Sequence, residues 1–582
     1  TTSAPYSSGE YNVAVGHQAL DAFTTGDRNV AVGPNALNSL TTGYRNISIG
    51  DRAGNSITSG HSGVYIGYLA GYGGNQGSNV AIGSEALFTA NGNSNVAVGY
   101  QAGRYTTAND GVWIGVGAGS SKAGGGQSVI VGHYAGQYMV GSEVTHVGRA
   151  AGQYASGSRN TFVGSAAGQG GTTSAPYSSG EYNVAMGYSA LTAFTTGYNN
   201  TILGYRAGFS KTTGFANVYL GYQAGFRGTT GRGNVAVGSN AQQGVSGQTT
   251  GTYNVSLGEN SLFGLTTGNH NFVVGSNAGY SLTTGEHNVI MGASAGDALT
   301  ATSNTVMIGR AAGSAINNTG ANGTVLIGSY AGNALTSGAN NIAIGSSALL
   351  NHTTGQRHIA IGHEAMDDTD AGSDALNSED NTFIGYRAGS GTWQNATSNR
   401  NIAIGNYTMD SALDQALDNT AVGYFALSSI TSGDYNTALG SNAGLSLTSG
   451  RSNTVIGYLA GDTMTSTRYT VLVGVNAGQA INSTDADYTV AVGYNALSTL
   501  TNGAGNIAIG GQTQTGITTG DNKIAIGYQA MTDFDAGVNS ANSSNNIAIG
   551  RFAMGGTATN AACNDNIAIG TNTMAAALDG AL

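Results

Sequence analysis

Two acidic segments contain the side chains whose types and spacing are best suited to bind a metal ion. They begin at Asp368 and Asp533, and each places oxygen-bearing residues at alternating positions around a glycine. This arrangement resembles part of a calcium-binding loop, although no glutamate follows at the twelfth position. The candidate ligands are Asp368, Asp370, Asp374, Asp533, Asp535 and Asn539. Calcium is the one cofactor that the sequence suggests, and a solvated acidic turn is the competing interpretation.

Catalytic side chains form no comparable pattern. His133, His146 and His358 occupy different positions relative to the glycine-containing motif nearest to each, and no Ser/His/Asp set, Cys/His set, phosphate loop or zinc spacing stands out. The string Ile-Gly-x-x-Ala is similar to one hexapeptide of the left-handed β-helix acyltransferases, but here it occurs once per repeat instead of consecutively. We therefore predict that the chain is not an enzyme and has no catalytic or cofactor-binding residues.

The chain consists of a repeat of about seventeen residues. The pentapeptide Asn-Val-Ala-Val-Gly that ends at Gly16 returns at Gly33, and a close variant still ends at Gly570. Its final residue, here named the anchor glycine, occurs 32 times, and 17 of the 31 spacings are seventeen residues. Because the repeat is never interrupted, we predict a single continuous β-solenoid over residues 1–582. Longer coils are expected near residues 165–186, 363–404 and 528–569.

Composition and periodicity together define the fold class. Glycine supplies 96 residues and proline only 3, which excludes collagen, and 40% of the residues are apolar, which excludes disorder. Val13 and Val15 alternate with Ala14, the period of two that is typical of a strand. We predict an all-β, parallel β-solenoid of about 32 coils. Each coil should contain this strand, a second short strand near an Ala-Leu or Ala-Gly segment, and a Thr-Thr-Gly corner, with glycines providing positive φ.

Stacking should align equivalent residues of successive coils. Coils in a parallel solenoid lie ~4.8 Å apart. The asparagine four residues before the anchor glycine is present in 22 copies, so its side-chain amides are expected to form a ladder.

The alternation also predicts which side of the strand faces inward. We expect the residue before the anchor glycine, which is Val, Ile, Leu or Met in every copy, to lie in the core. The residues expected to be buried are Val15, Ile49, Ile82 and Ile569. The middle residue of the strand is usually small and is expected to point outward, where another chain could approach closely. Examples are Ala14, Ala31, Ser48 and Ala81.

Charge and hydropathy argue against two classes of partner. The net charge is −11 and no run of basic residues occurs, so nucleic acid is not an expected partner. No apolar stretch approaches the ~20 residues of a membrane span, so no membrane-spanning segment is expected.

Cys563 is the only cysteine, which excludes an intrachain disulfide.

The strings Asn-Val-Ala-Val-Gly and Asn-Ile-Ala-Ile-Gly resemble the head repeats of trimeric autotransporter adhesins. They are also similar to glycine-rich repeats in the tail fibres of marine bacteriophages, which carry comparable Thr-Thr-Gly segments. The resemblance covers nearly the whole chain, and it implies a left-handed β-roll in which three chains associate about one axis. The adhesin repeat is shorter than seventeen residues, and no coiled-coil stalk or membrane anchor follows the repeats here. The sequence therefore favours a viral or other non-anchored fibre over an autotransporter.

These observations predict a structural protein. We expect a fibre of a virus particle, a bacteriophage tail fibre or similar appendage for host attachment, located on the virion surface or extracellularly. The alternative is a bacterial cell-surface adhesin or extracellular filament. The expected partners are further copies of the chain in a homotrimer, and a host cell-surface receptor or glycan.

Tyrosine follows the anchor glycine in ten copies. These rings either stack on sugars or shield the edge of the coil stack and pack between chains. They include Tyr68, Tyr188, Tyr205, Tyr222 and Tyr424.

Overall fold

In the computed structural model the chain forms two units, Thr1–His287 and Asn288–Leu582. Each unit contains sixteen strands of three residues, and no α-helix occurs within the described ranges. The described 3-10 helices Thr319–Ala321 and Thr484–Ala486 lie in the second unit. The described residues are 8–74, 77–89, 91–121, 126–245, 249–369, 377–394, 396–533, 543–557 and 562–576.

One strand occurs in every repeat and ends at the residue before the anchor glycine. The strands of the first unit are β1 (Val13–Val15), β2 (Val30–Val32), β3 (Ile47–Ile49), β4 (Val64–Ile66), β5 (Val80–Ile82), β6 (Val96–Val98), β7 (Val112–Ile114), β8 (Val129–Val131), β9 (Thr145–Val147), β10 (Thr161–Val163), β11 (Val184–Met186), β12 (Thr201–Leu203), β13 (Val218–Leu220), β14 (Val235–Val237), β15 (Val255–Leu257) and β16 (Phe272–Val274). The strands of the second unit are β17 (Val289–Met291), β18 (Val306–Ile308), β19 (Val325–Ile327), β20 (Ile342–Ile344), β21 (Ile359–Ile361), β22 (Thr382–Ile384), β23 (Ile402–Ile404), β24 (Thr420–Val422), β25 (Thr437–Leu439), β26 (Thr454–Ile456), β27 (Val471–Val473), β28 (Val490–Val492), β29 (Ile507–Ile509), β30 (Ile524–Ile526), β31 (Ile547–Ile549) and β32 (Ile567–Ile569).

Each strand pairs in parallel, residue for residue, with the next strand of its unit. Ala31 of β2 lies opposite Ala14 of β1 and Ser48 of β3 in the first unit. In the second unit, Ala360 of β21 lies opposite Ala343 of β20. The predicted all-β, parallel β-solenoid is thus confirmed in each unit. Its continuity through residues 1–582, the placement of the longer coils and the left-handed winding stay predictions.

The anchor glycine is required by both backbone conformation and space. Gly33 has a φ of 129°, which residues with a side chain rarely adopt. A Cβ atom at Gly33 would lie 2.6 Å from the carbonyl oxygen of Gly50 in the next coil. The corner glycine Gly43 has no positive φ, but a Cβ there would overlap the carbonyl oxygen of Gly60. The prediction that glycine provides a positive φ is therefore confirmed for the anchor glycine. It is wrong for Gly43, where the close approach of the next coil is what requires glycine.

The predicted second strand is absent from the described residues because left-handed residues interrupt the chain at that point. After Gly33, Asn35 and Leu37 have φ values of 56° and 49°, which are incompatible with an extended segment. The segment still stacks, since the Leu37 N–H donates to the carbonyl oxygen of Ala53 in the next coil over 2.9 Å. A coil is therefore one strand followed by tight turns that hydrogen-bond to the turns of neighbouring coils.

A ladder of buried asparagine amides runs beside the strands, as predicted. The Asn200 backbone N–H and Nδ2 donate to Oδ1 of Asn183 over 3.1 and 3.0 Å, and Nδ2 also donates to the carbonyl oxygen of Gly214 over 3.0 Å. Oδ1 of Asn200 accepts from the backbone N–H and Nδ2 of Asn217. The side-chain amide therefore satisfies its hydrogen-bonding groups while buried. In the first unit this pattern joins Asn160, Asn183, Asn200, Asn217, Asn234, Asn254 and Asn271.

Two of the buried side chains in each coil are complementary in size. The middle residue of the strand shares the interior with the residue four after the anchor glycine, so that Ala31 is combined with Leu37 and Trp113 with Gly119. A Cβ atom at Gly119 would overlap the indole ring of Trp113. All but three coils combine Gly, Ala or Ser with a larger residue in this way. In the three exceptions a leucine of the preceding coil packs against the glycine, at Gly54, Gly103 and Gly444.

Exchanging the small and the large residue within one coil should lower the free energy of unfolding by less than the sum of the two single changes. Ala31→Phe should overpack the coil and destabilise it by about 1–3 kcal/mol, and Leu37→Gly should leave a cavity that costs about 2–5 kcal/mol. Together they recreate the combination of Phe162 with Gly168. The double variant should therefore be less destabilised than the sum of the single variants by ~1 kcal/mol or more. Urea denaturation at fixed protein concentration measures these free energies of unfolding.

The matched control combines Ala31→Phe with Leu191→Gly, because Leu191 belongs to a distant coil of the same unit. Those two changes should be additive. Additivity in both double variants would contradict size complementarity within the coil.

Candidate functional site

The outer face of the strands is apolar, contrary to the predicted burial. Val15, Ile49, Ile82 and Ile569 are 55%, 40%, 37% and 66% exposed. The prediction that these side chains lie in the core is wrong. A three-residue strand directs its first and third side chains to the same side, and that side is the outside of the coil.

The middle residues of the strands, predicted to face another chain, point into the coil instead. Ala31, Ser48 and Ala81 are fully buried, and Ala14 is exposed in β1, where no described strand covers its N-terminal side. The reason is space, because the inward side chain must fit beside the residue across the coil, such as Leu37 next to Ala31. The complementary sizes of these two positions are the sequence signal that reveals the correct register.

The first and third residues of β1–β32 form what we call the apolar strand face. They are Val, Ile, Leu, Met, Phe or Thr without exception, so the face carries no charge. Within each unit these residues stack in register, one coil every ~4.8 Å. Single exposed apolar residues are ordinary on protein surfaces, but a contiguous stripe marks an interaction surface.

Tyrosines that follow the anchor glycine stack on one another along the outside of the first unit. The ring centroids of Tyr188 and Tyr205 are 5.4 Å apart, and those of Tyr205 and Tyr222 are 5.3 Å apart. Because Tyr205 is stacked on both sides, its ring faces are covered by neighbours within the chain. This favours a shielding role over sugar stacking for this group. Tyr68 and Tyr424 are also exposed.

The three histidines considered for catalysis lie in three different environments. His133 is exposed and contacts Tyr134, with 4.1 Å between ring centroids. His146 is the middle residue of β9, where it is fully buried and stacks on Phe162 at 4.9 Å. His358 takes the asparagine position of the ladder and is also fully buried. The rings are thus on the surface, in the core and in the ladder.

Burial lowers the pKa of several basic side chains. Desolvation lowers the pKa of His146 to about 3, and neither of its ring nitrogens has a hydrogen-bond partner in the described part of the chain. Burial, followed by repulsion from His352, lowers the pKa of His358 well below its ordinary value. Lys211 donates to the carbonyl oxygen of Gly231 over 2.8 Å, and burial lowers its pKa to about 7. Because the pKa values of these groups differ between the folded and the unfolded chain, they make the free energy of unfolding depend on pH.

The predicted calcium ligands fall largely outside the described residues, which exclude Asp370, Asp374, Asp535 and Asn539. Asp368 accepts hydrogen bonds from the Thr392 hydroxyl and, over 3.3 Å, from Nδ2 of Asn351. Asp533 is exposed. Within the described ranges, no three His, Cys, Asp or Glu side chains converge on a metal-sized site. Calcium binding by the two loops therefore stays a prediction.

No protein-family model and no curated protein matches the chain. In the part of the chain that the structure describes, no helix combines the length and the apolar character needed to cross a membrane.

Replacing His146 should flatten the acid limb of the stability curve. The folded-state pKa of about 3 lies below the ordinary histidine pKa of 6.5, so between these pH values the unfolded chain binds the additional proton. Stability is therefore lost as the pH falls through this window, by up to about 1.4 kcal/mol per pH unit. The substitution His146→Phe should remove this contribution. Phenylalanine already occupies the equivalent strand position in the next coil, at Phe162. Urea denaturation between pH 7 and pH 4 measures it.

The control is His133→Phe, because His133 is exposed. This variant should retain the native slope of stability against pH over the same window. An unchanged slope in the His146 variant would show that the buried imidazole is not the group responsible.

If the acidic loops hold calcium, chelation should lower the melting temperature. A double variant, Asp370→Ala with Asp535→Ala, should melt at a temperature that neither added calcium nor a chelator changes. Asp51→Ala, an exposed position outside both loops, serves as the control and should keep the native response. An unchanged melting temperature of the native chain after chelation would exclude a structural calcium ion.

Proposed function

We propose that this chain is the repetitive shaft of a fibre on a virus particle, such as a bacteriophage tail fibre, and that the fibre serves host attachment at the virion surface. Its role is structural and not catalytic. The apolar strand face carries this proposal, because a solenoid with two uncovered columns of uncharged, mostly apolar side chains is suited to lengthwise assembly. The resemblance of the repeat to tail-fibre and adhesin-head sequences supports the same role.

The partner that fits this face is another copy of the chain. The face repeats every ~4.8 Å, so a partner must have the same period to stay in register over many coils. A second copy has that period, and because the face is uncharged, the contact itself brings no like charges together. Closed symmetry is the usual arrangement of such homo-oligomers. The number three comes from the family resemblance alone.

The area of the face is sufficient for a stable interface. Each unit contributes two outer side chains from each of sixteen strands. If each side chain exposes about 40 Å², one unit presents on the order of 1,200 Å². A standard interface buries about 800 Å² per partner. Assembly through this face should therefore be strong, and the folded monomer should be poorly populated.

A bacterial surface adhesin would use the same face, so assembly does not distinguish the two biological roles. A low-resolution image of the intact fibre distinguishes them, since the fibre would be attached to a virion in one case and to a cell envelope in the other. Attachment to a cell envelope would overturn the viral assignment.

Charged side chains on the apolar strand face should prevent assembly. In the triple variant Ile49→Glu, Ile82→Glu, Ile114→Glu, three carboxylates enter positions that are 40%, 37% and 39% exposed in the single chain. Burying them between chains carries a desolvation penalty of several kcal/mol per charge. Multi-angle light scattering should therefore report the mass of three chains for the native protein and of one chain for the variant.

A matched control places the same charges on another side of the coil. Thr25→Glu, Thr42→Glu and Thr267→Glu alter exposed corner threonines of the same unit and should leave the native mass unchanged. If the glutamate variant aggregates, the milder Ile49→Thr, Ile82→Thr, Ile114→Thr variant should still show a higher dissociation concentration. A glutamate variant that stays folded at the native mass would overturn assembly through this face.

A further inference from the structure

The segment between β10 and β11 builds a cleft on the outside of the first unit. Residues 173–176 are exposed, and the chain rejoins the coil at Ser178, which is 1% exposed. The Ser178 N–H donates to the carbonyl oxygen of Tyr154 over 3.0 Å, and its own carbonyl oxygen accepts from the Ser156 N–H over 2.7 Å. These bonds restore the parallel register between the two coils. The additional residues therefore project as a wall without disturbing the stack.

The cleft beside this wall has a volume of about 930 Å³. Pockets for small molecules range from roughly 300 to 1,000 Å³. Its apolar lining comes from Tyr105, Tyr138, Val140, Pro176 and Tyr177. The remainder of the described lining is almost entirely serine and threonine, and none of these described residues is charged.

A missing ring in a column of tyrosines gives the cleft its shape. Tyr105, Ser121, Tyr138 and Tyr154 each lie six residues after the anchor glycine in four successive coils. Tyr138 stacks on Tyr154, with 5.3 Å between centroids and 9° between ring planes. Ser121 occupies the ring position between Tyr105 and Tyr138, which two coil steps place about 10 Å apart. One flat ring fits in such a gap, since van der Waals contact needs about 3.5–4.0 Å on each side.

The inserted segment adds a further aromatic surface to this gap. The ring of Tyr177 lies 5.1 Å from that of Tyr138 and 6.2 Å from that of Tyr154. Tyr138 is therefore held by a neighbour in its own column and by the wall. A ligand would meet a rigid platform, which reduces the entropy lost on binding.

The chemistry of the lining selects the ligand. Among the described lining residues, an anion would meet no cationic side chain and a cation no carboxylate, and the guanidinium of Arg104 over Tyr105 is paired with Glu85. A sugar ring has an apolar C–H face that packs on an aromatic ring and a rim of hydroxyl groups that hydrogen-bond to serine and threonine. We propose that this cleft binds a neutral sugar ring of an oligosaccharide, inserted between Tyr105 and Tyr138.

This inference deepens the proposed attachment function and rests on it for its biological role. Binding and assembly nevertheless depend on different residues. The cleft is formed by residues six or more positions after the anchor glycine, whereas the apolar strand face immediately precedes that glycine. A failure of one proposal can therefore be distinguished from a failure of the other.

The test uses the full chain and four neutral disaccharides as probes, namely lactose, maltose, cellobiose and N,N′-diacetylchitobiose, with sialyllactose as an anionic comparison. Saturation-transfer-difference NMR at millimolar sugar concentrations detects binding. At least one neutral probe should bind, and sialyllactose should bind no better than lactose. Tyr138→Ala and Tyr177→Ala should each weaken binding roughly five- to tenfold. Ser121→Tyr should abolish binding, because it restores the missing ring and closes the gap.

The control variant is Tyr188→Ala, which removes an exposed stacked tyrosine outside the cleft and should leave the affinity unchanged. Thermal unfolding and light scattering on every variant verify that fold and assembly are retained. Absence of binding to all four neutral probes overturns the proposal. Equal sugar binding by the native protein and the Ser121→Tyr variant also overturns it. A third contradicting result is that a purely apolar dye displaces the sugars while Tyr138→Ala leaves sugar binding unchanged.

Discussion

Backbone stacking between coils is the constraint on which the rest of this structure depends. A coil of about seventeen residues contains only three in a strand, so most of its backbone groups must find partners through turns. They do so because each turn lies over the equivalent turn of the next coil, and because a side-chain amide at the Asn200 position supplies donors and acceptors that the backbone lacks. The anchor glycine follows from the same constraint, since neighbouring carbonyl oxygens leave no space for a Cβ atom.

A fixed backbone contour leaves the interior little freedom to adjust its volume. The inward position of the strand accepts residues as different as alanine, tryptophan and histidine because the facing position changes size in the opposite sense, as with Trp113 and Gly119. Dense packing is maintained by complementary sizes within a coil and, at Gly54, Gly103 and Gly444, by a leucine of the preceding coil. Buried ionisable groups such as His146 and Lys211 are tolerated at the cost of stability that varies with pH.

The same regularity separates two functions on the outside. Columns that repeat in every coil, such as the apolar strand face, can match only a surface of the same period, so they suit assembly with identical chains. A selective binding site needs a departure from the repeat. The segment before Ser178 provides one, because its additional residues enclose a column in which Ser121 interrupts the tyrosines.

The sequence by itself determined the period, the position of every strand and the asparagine ladder, because each follows from residues at fixed spacing along the chain. It did not determine which strand face is buried, since hydrophobicity favours Val15 and Ile49 whereas the volume left beside Leu37 admits only the small Ala31. Nor did it indicate the cleft, whose walls combine Tyr105, Tyr138 and Tyr177 from separate coils. Tertiary structure decided both, because the path of the turns determines which side chains share the space inside a coil and between coils, and residue spacing alone does not specify that path.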